Sequence, residues 1–315
     1  MSNCTNWPNM WHTCGLDTQN IGLINSDHLL GEALNSFDLS SCKKVFVVGT
    51  GGFILDINHP HVYYFNSIMG SGQQNLHTHF LSIEYSKVHY VNYKLENELK
   101  SASEKIDCET LFDVLLGLGR PHREFIYNWI NNSPNKHRFF MTYYKTSGNW
   151  QAWVPGYFDN ESQPFVYSGD TVKVNEQGDH RILSQIIPVK IFNETVYSIV
   201  AETGHLRPSI PTEKTWKPMI ARRLFVMFSN AGFLRDLRNS GFKTFGTIID
   251  ESYDDIEDNH ERWTRAMQQC EWLCLQDPVE IMQQCNDILE HNYTMVMQDY
   301  NQKFIDLVQQ VAGQG

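Results

Sequence analysis

The chain has 315 residues, of which 41% are apolar, 13% aromatic and 19% charged, with a formal net charge of −11. That length accommodates two ordinary α/β domains, and no run approaches the roughly 18 uninterrupted apolar residues that a membrane span requires. The first fifteen residues lack a basic cluster followed by an apolar run, which speaks against a secretory leader, and the seven scattered cysteines read as reduced core thiols of a cytoplasmic protein.

In chain order, the first buried strand is Lys44-Val-Phe-Val-Val-Gly, which runs into Thr50-Gly-Gly-Phe. A short apolar run ending in glycines opens a Rossmann-type half, because glycine lets the backbone turn tightly and approach a ligand. Further strands are predicted at His61-Val-Tyr-Tyr-Phe and at Lys87-Val-His-Tyr-Val-Asn-Tyr, and residues 95–109 read as a charged helix or linker. The second half restarts with the strand Leu111-Phe-Asp-Val-Leu-Leu-Gly-Leu-Gly. Arg120-Pro-His-Arg and a helix through Trp129 follow it, and then the strand Arg138-Phe-Phe-Met-Thr-Tyr-Tyr. Residues 145–180 read as an irregular excursion. Beyond them the pattern predicts a helix near 189–194, a strand at 196–201, a helix from Thr212 and the strand Leu224-Phe-Val-Met-Phe. A helix from Phe233 ends at Gly241, a C′ glycine. The tail is helical over 260–275 and again from Pro278 to about Val311. Strands alternating with helices in two runs imply an α/β fold of two βαβ assemblies with parallel sheets, divided as 1–108 and 109–315.

The charge is unevenly placed. Residues 250–261 hold seven acids and no Lys or Arg. Residues 207–243 hold Arg207, Lys214, Lys217, Arg222, Arg223, Arg235, Arg238 and Lys243 against Glu213 and Asp236. A local positive excess in an acidic chain reads as an anion site, with a solvated basic helix face as the plainer reading.

Within that basic stretch lies Glu202-Thr-Gly-His-Leu-Arg-Pro-Ser-Ile-Pro-Thr-Glu-Lys-Thr-Trp-Lys-Pro. A strand closes at Glu202, and Thr212 is a good N-cap for the next helix. Glu213 and Lys214 then occupy a first turn whose free N–H groups and dipole favour phosphate. The lysine adds a point charge for a diphosphate, and the carboxylate beside it can accept both hydrogen bonds of a ribose diol. Capping by Thr212 and Glu213, with Lys214 solvated, is the competing interpretation; it leaves Glu202 and the downstream cations without a role.

The sequence Thr212-Glu-Lys-Thr-Trp-Lys-Pro, with Gly241-Phe-Lys-Thr-Phe and Ile249-Asp-Glu-Ser-Tyr-Asp, resembles glycosyltransferases of tailed phages. Its donor motif is similar to that of fucosyltransferase-type GT-B enzymes. The resemblance spans about 111–261. It implies two Rossmann-like domains with a cleft between them, and transfer of a sugar from a nucleoside diphosphate sugar (UDP-sugar favoured) to an acceptor hydroxyl. Glu213 would bind ribose and Lys214 the diphosphate, with Glu202 orienting the loop or touching the sugar, and Lys217 assisting. Arg120 and Arg123, between a strand and a helix, would neutralise the leaving diphosphate without a metal. Gly51, Gly52 and Phe53 would form the acceptor-side loop. Asp56 is the candidate general base, with Glu84 and His79 behind it, although Asp56 also reads as a turn cap before His59-Pro60. The pair His77 and His79 lacks a third metal ligand. The phage resemblance points to 5-hydroxymethylcytosine in duplex DNA as acceptor, in a host cytoplasm. A surface glycan, or a non-catalytic nucleotide-sugar-binding role, is the alternative.

Overall fold

A computed structural model describes residues 21–25, 44–48, 62–70, 76–101, 104, 108–117, 119–143, 167–168, 171–173, 180–182 and 186–313. The chain separates into two compact units, Met1–Tyr85 with Gln298–Gly315, and Ser86–Met297. The division therefore lies at Tyr85/Ser86 rather than at the 108/109 boundary read from the sequence, and the last helix belongs to the first unit.

In the first unit, strands β1 (Ile21–Asn25), β2 (Lys44–Val48), β3 (Val62–Asn66) and β4 (Leu76–Thr78) form one parallel sheet in that order. The core joins Phe46, Val48, Phe65 and Leu81 to Phe304, Val308 and Val311 of the C-terminal helix Tyr300–Gly313. Those three positions follow an i, i+4, i+7 stripe, the spacing that places side chains on one helix face. Lys44 Nζ donates to the carbonyls of Val311 and Ala312, both at 2.9 Å, and so closes that helix's C-terminus. Glu84 accepts from the amide of Tyr300 at 2.7 Å, at its other end.

The segment Lys87-Val-His-Tyr-Val-Asn-Tyr, expected as a strand, lies mostly in helix α1 (Leu81–Asn92). Its β-branched and aromatic residues favour strands, but Ile83, Ser86, Lys87 and Tyr90 are buried at helical spacing, and that pattern prevails over composition.

In the second unit, β5 (Phe112–Leu116), β6 (Phe139–Tyr143), β10 (Tyr197–Ala201) and β11 (Phe225–Phe228) form a parallel sheet in the order β11-β10-β5-β6. Every residue of β10 and β11 is buried, as expected for a sheet covered on both faces. The connecting helices are α2 (Pro121–Asn132), α3 (Val189–Glu194), α4 (Glu213–Ile220) and α5 (Phe233–Asn239). Gly241 has φ +92° directly after the C-cap of α5, which is the left-handed turn a glycine accommodates. Helices α6 (Asn259–Leu273) and α7 (Pro278–Val296) follow, and α8 (Tyr300–Gly313) is the returning C-terminal helix. The tail read as one helix from Pro278 to about Val311 is thus two helices, broken over 297–299.

Within the stretch read as irregular, β7 (Tyr167–Ser168), β8 (Thr171–Lys173) and β9 (His180–Ile182) form a small antiparallel sheet. Among the described residues, no helix is long and apolar enough to cross a membrane.

Candidate functional site

Strand order decides where the second unit can bind a ligand. From β5 the chain passes through α2 to β6, and from β10 through α4 to β11, so the two connections leave neighbouring strands in opposite directions. Open parallel sheets bind ligands at such a switch point, outside the carboxyl ends of the strands. Arg120 and Arg123 stand after β5, and Glu202, Glu213, Lys214 and Lys217 stand after β10. All six belong to this end of the sheet.

Glu202 is fully buried. Its carboxylate accepts from the amides of Thr203 and Thr212, both at 2.9 Å. It also accepts from the hydroxyls of Thr212 at 2.7 Å and Thr215 at 2.6 Å. Four donors saturate it, so of its two expected roles the geometry matches loop orientation: Glu202 ties the strand end to the first turn of α4. Thr212 is the N-cap, its hydroxyl accepting from the Lys214 amide.

On that turn Glu213 and Lys214 form an ion pair of 2.7 Å, with 22% and 26% of their side chains exposed. Lys214 Nζ also donates to Thr203 and Thr212 hydroxyls at 3.2 Å, so the lysine is held over the loop. Burial would raise the Glu213 carboxyl, but Lys214 and Lys217 outweigh it and hold the group at about 2. Burial lowers Lys217 to about 8, partly offset by Glu213.

Arg123 is buried, and its guanidinium donates to the carbonyls of Ala201 at 3.3 Å and Glu202 at 3.2 Å. A side chain at Gly117 would come within 3.2 Å of that guanidinium, so glycine there admits the arginine between strand and loop. Arg123 thus clasps β10 to the start of α2, a scaffold role beside the expected ligand-facing one. Burial, with Arg120 adding to it, lowers Arg123 to about 10. Arg120 is half-buried, and its Nε has no hydrogen-bond partner among the described residues. An unpaired buried guanidinium N–H beside a second arginine is a site where an anion would satisfy both hydrogen bonding and charge.

Two histidines that the sequence reading left out share this edge. His122 is fully buried, and its Nε2 donates to the Glu202 carbonyl at 2.7 Å. Its Nδ1 has no partner among the described residues. Burial pushes His122 down to about 3 against the pull of that carbonyl, with Arg123, His205 and Arg120 adding to the effect. His205 packs on it at 5.2 Å between ring centroids. Both lay inside motifs the sequence singled out, His122 in Arg120-Pro-His-Arg and His205 in Glu202-Thr-Gly-His, but nothing local signalled that the two rings would meet.

The basic run that pointed to an anion site is largely internal structure. Arg223 is 1% exposed and pairs with Asp113 at 2.7 Å at the opposite, amino end of the strands. It also reaches Ser198, Thr195 and the carbonyls of Phe192 and Tyr197. Arg222 pairs with Glu290 at 2.7 Å and lies 3.4 Å from the centre of the Tyr293 ring. Arg238 pairs with Glu251 at 3.1 Å. Of the cations expected at the donor site, Arg120, Arg123, Lys214 and Lys217 stand at the carboxyl ends of β5 and β10 with the carboxylates Glu202 and Glu213.

Asp56, Gly51, Gly52 and Phe53 lie outside the described residues, as do His59 and His61. The next candidates for the base have structural partners: Glu84 receives the Tyr300 amide, and His79 is buried edge-on to Phe304. His77 stacks on Tyr63 and Phe65, and burial lowers its pKa. Among the described residues, no group of three or more His, Cys, Asp or Glu is arranged to hold a metal ion. Cys270 and Cys274 are buried thiols raised by burial, Cys274 to about 12. No family model, curated protein or solved structure matches the chain.

Proposed function

We propose that the chain is a nucleotide-sugar-dependent glycosyltransferase of the two-domain GT-B type, whose second unit binds the donor. The observation that supports this reading is that Arg120 stands after β5 and Lys214 and Lys217 after β10, on either side of the switch point, with Arg120 Nε unpaired among the described residues. In such a transfer the acceptor oxygen bonds to the anomeric carbon as the bond to the diphosphate oxygen breaks. The leaving group gains charge, and cations held in place, among them Lys214 paired to Glu213, stabilise it without reorganising. Glu213, held by Lys214 through one carboxylate oxygen, presents the other to a ribose diol. The acceptor we propose is 5-hydroxymethylcytosine in duplex DNA, with a surface glycan as the alternative, and Asp56 as the base.

The test is a thermal-shift screen with UDP-, GDP- and CMP-sugars, followed by donor hydrolysis and transfer. A donor at a hundred times its Kd stabilises the fold by about 2.7 kcal/mol. Lys214→Ala and Glu213→Ala each cut turnover at least tenfold, about 1.4 kcal/mol, and EDTA leaves activity intact. Binding without hydrolysis or transfer to any acceptor would mark a nucleotide-sugar-binding protein instead. Wild-type nucleotide affinity in both variants removes the donor-site assignment. Digestion of treated hydroxymethylated DNA to nucleosides, read by mass spectrometry, decides the acceptor.

A further inference from the structure

A groove lies in the same unit, on the paired helices α2 and α6. It is open, of about 800 Å³, floored by Phe125 and Trp129 and edged by Asn128, Asn132, Asn135 and Glu271. The floor is aromatic. Phe125 and Trp129 are one turn apart on α2, with ring centroids 5.7 Å apart, and His260 of α6 meets Phe125 edge-on at 5.1 Å. The rim is pinned. Glu271 accepts from Trp129 Nε1 at 3.1 Å and from Asn135 Nδ2 at 2.7 Å, which fixes the tilt of the indole and the position of the amide. Asn128 is exposed, with its side-chain amide unpaired among the described residues, while Asn132, also exposed, donates from Nδ2 to the Asn128 backbone carbonyl at 2.8 Å.

This face of α2 is poorly explained by helix stability. Phe, Asn, Trp and Asn at 125, 128, 129 and 132 are all weak helix formers. A solvated face would ordinarily carry Glu, Lys or Gln, and a core face would carry aliphatics. Flat rings flanked by amides instead match a ligand with an apolar face and a fringe of hydroxyls. Amides both donate and accept, as hydroxyls do, and a ring offers area at low entropic cost. Among the described residues no Lys or Arg lines the groove and Glu271 does, which is the wrong charge for a phosphate backbone.

We infer that the groove between α2 and α6 binds a neutral oligosaccharide, with one pyranose face on Trp129 and Phe125 and its hydroxyls on Asn128, Asn132 and Asn135. The assignment stands apart from the donor-site reading, since none of the cations at the switch point contributes to it.

The experiment titrates the full chain with neutral gluco-, manno- and N-acetylglucosamine oligosaccharides up to about 10 mM, following intrinsic tryptophan fluorescence and calorimetry. Binding by one series is expected. Trp129→Ala weakens it at least about tenfold, and Asn128→Ala, at an exposed and unpaired position, by about threefold to tenfold with an unchanged melting temperature. Lys214→Ala leaves it unchanged, which separates this site from the donor site. The inference is overturned if no neutral oligosaccharide binds, or if binding is unaffected by Asn128→Ala and Trp129→Ala. It is equally overturned if single-stranded DNA or a peptide, and no sugar, binds with sensitivity to Asn128→Ala. Should Trp129→Ala fail to fold, Asn128→Ala decides alone.

Discussion

Single buried polar residues hold the ends of the second sheet, and each can be tested by removing one partner. Glu202 accepts four hydrogen bonds while fully buried. Glu202→Ala leaves two amides and two hydroxyls without their acceptor, and should cost about 3–5 kcal/mol. Urea unfolding measures it, and a loss under about 1 kcal/mol would mean that water replaces the carboxylate freely. Lys217 offers a test by pH. Its folded pKa of about 8 lies below the ordinary lysine value of about 10.4. Between those values the unfolded chain binds more protons, so this group's penalty is present below about pH 8 and is relieved as pH rises toward 10.4. An anionic ligand acts in the opposite sense, because it prefers the charged amine. Nucleotide affinity should therefore fall as pH rises through about 8, and Lys217→Arg should remove that step. An unchanged pH profile in the arginine variant would place the titration elsewhere. Glu213, held at about 2, contributes stability that is complete above about 4.5 and is lost only as pH falls toward 2.

At the scale of elements, the acidic run over 250–261 turns out to be a set of helix starts. Asp250 caps the short helix Glu251–Asp255, and Asp258 caps α6. Asp254 accepts from the amides of Leu234 and Arg235, both at 2.9 Å, and so caps α5 from outside its own segment. Asp255, with a side chain 74% exposed, holds Arg235 at 3.5 Å and, among the described residues, no other cation. Asp254→Ala should therefore cost about 1–2 kcal/mol, and Asp255→Ala no more than about 0.5. Equal effects in thermal unfolding would show that general charge, not capping, sets the stability of this stretch. Neighbouring acids of the same type do unlike work because only one of them faces free N–H groups. Thr212 was legible as a cap because its partner lies two residues on. The capping of α5 by Asp254 was not, because about twenty residues separate them.

For the molecule as a whole, the first unit is completed by the far end of the chain. Phe304, Val308 and Val311 fill the core that Phe46, Val48 and Phe65 begin, across separations of 239 residues or more. Phe304→Ala should cost about 3–5 kcal/mol. Unfolding followed by a probe in the first unit is the appropriate measurement, and a near-neutral result would mean that this helix is dispensable to the sheet. No local pattern foretells such closure, because an amphipathic helix states that one face will be buried and not what will bury it.

Periodicity and caps in the sequence were enough to determine the parallel α/β class, the strands at Phe112–Leu116, Tyr197–Ala201 and Phe225–Phe228, the Thr212-capped helix, and the Gly241 stop. These depend on residues within a few positions of one another. Tertiary structure alone decided which charges are paired internally. Arg222, Arg223 and Arg238 counted toward a basic segment until Glu290, Asp113 and Glu251 were brought against them. Strand order alone brought Arg123 onto the carbonyls of Ala201 and Glu202, because a parallel pairing between β5 and β10 joins residues more than eighty positions apart. Charge counts along a chain are local, whereas the field at a site is set by pairings that only the fold creates.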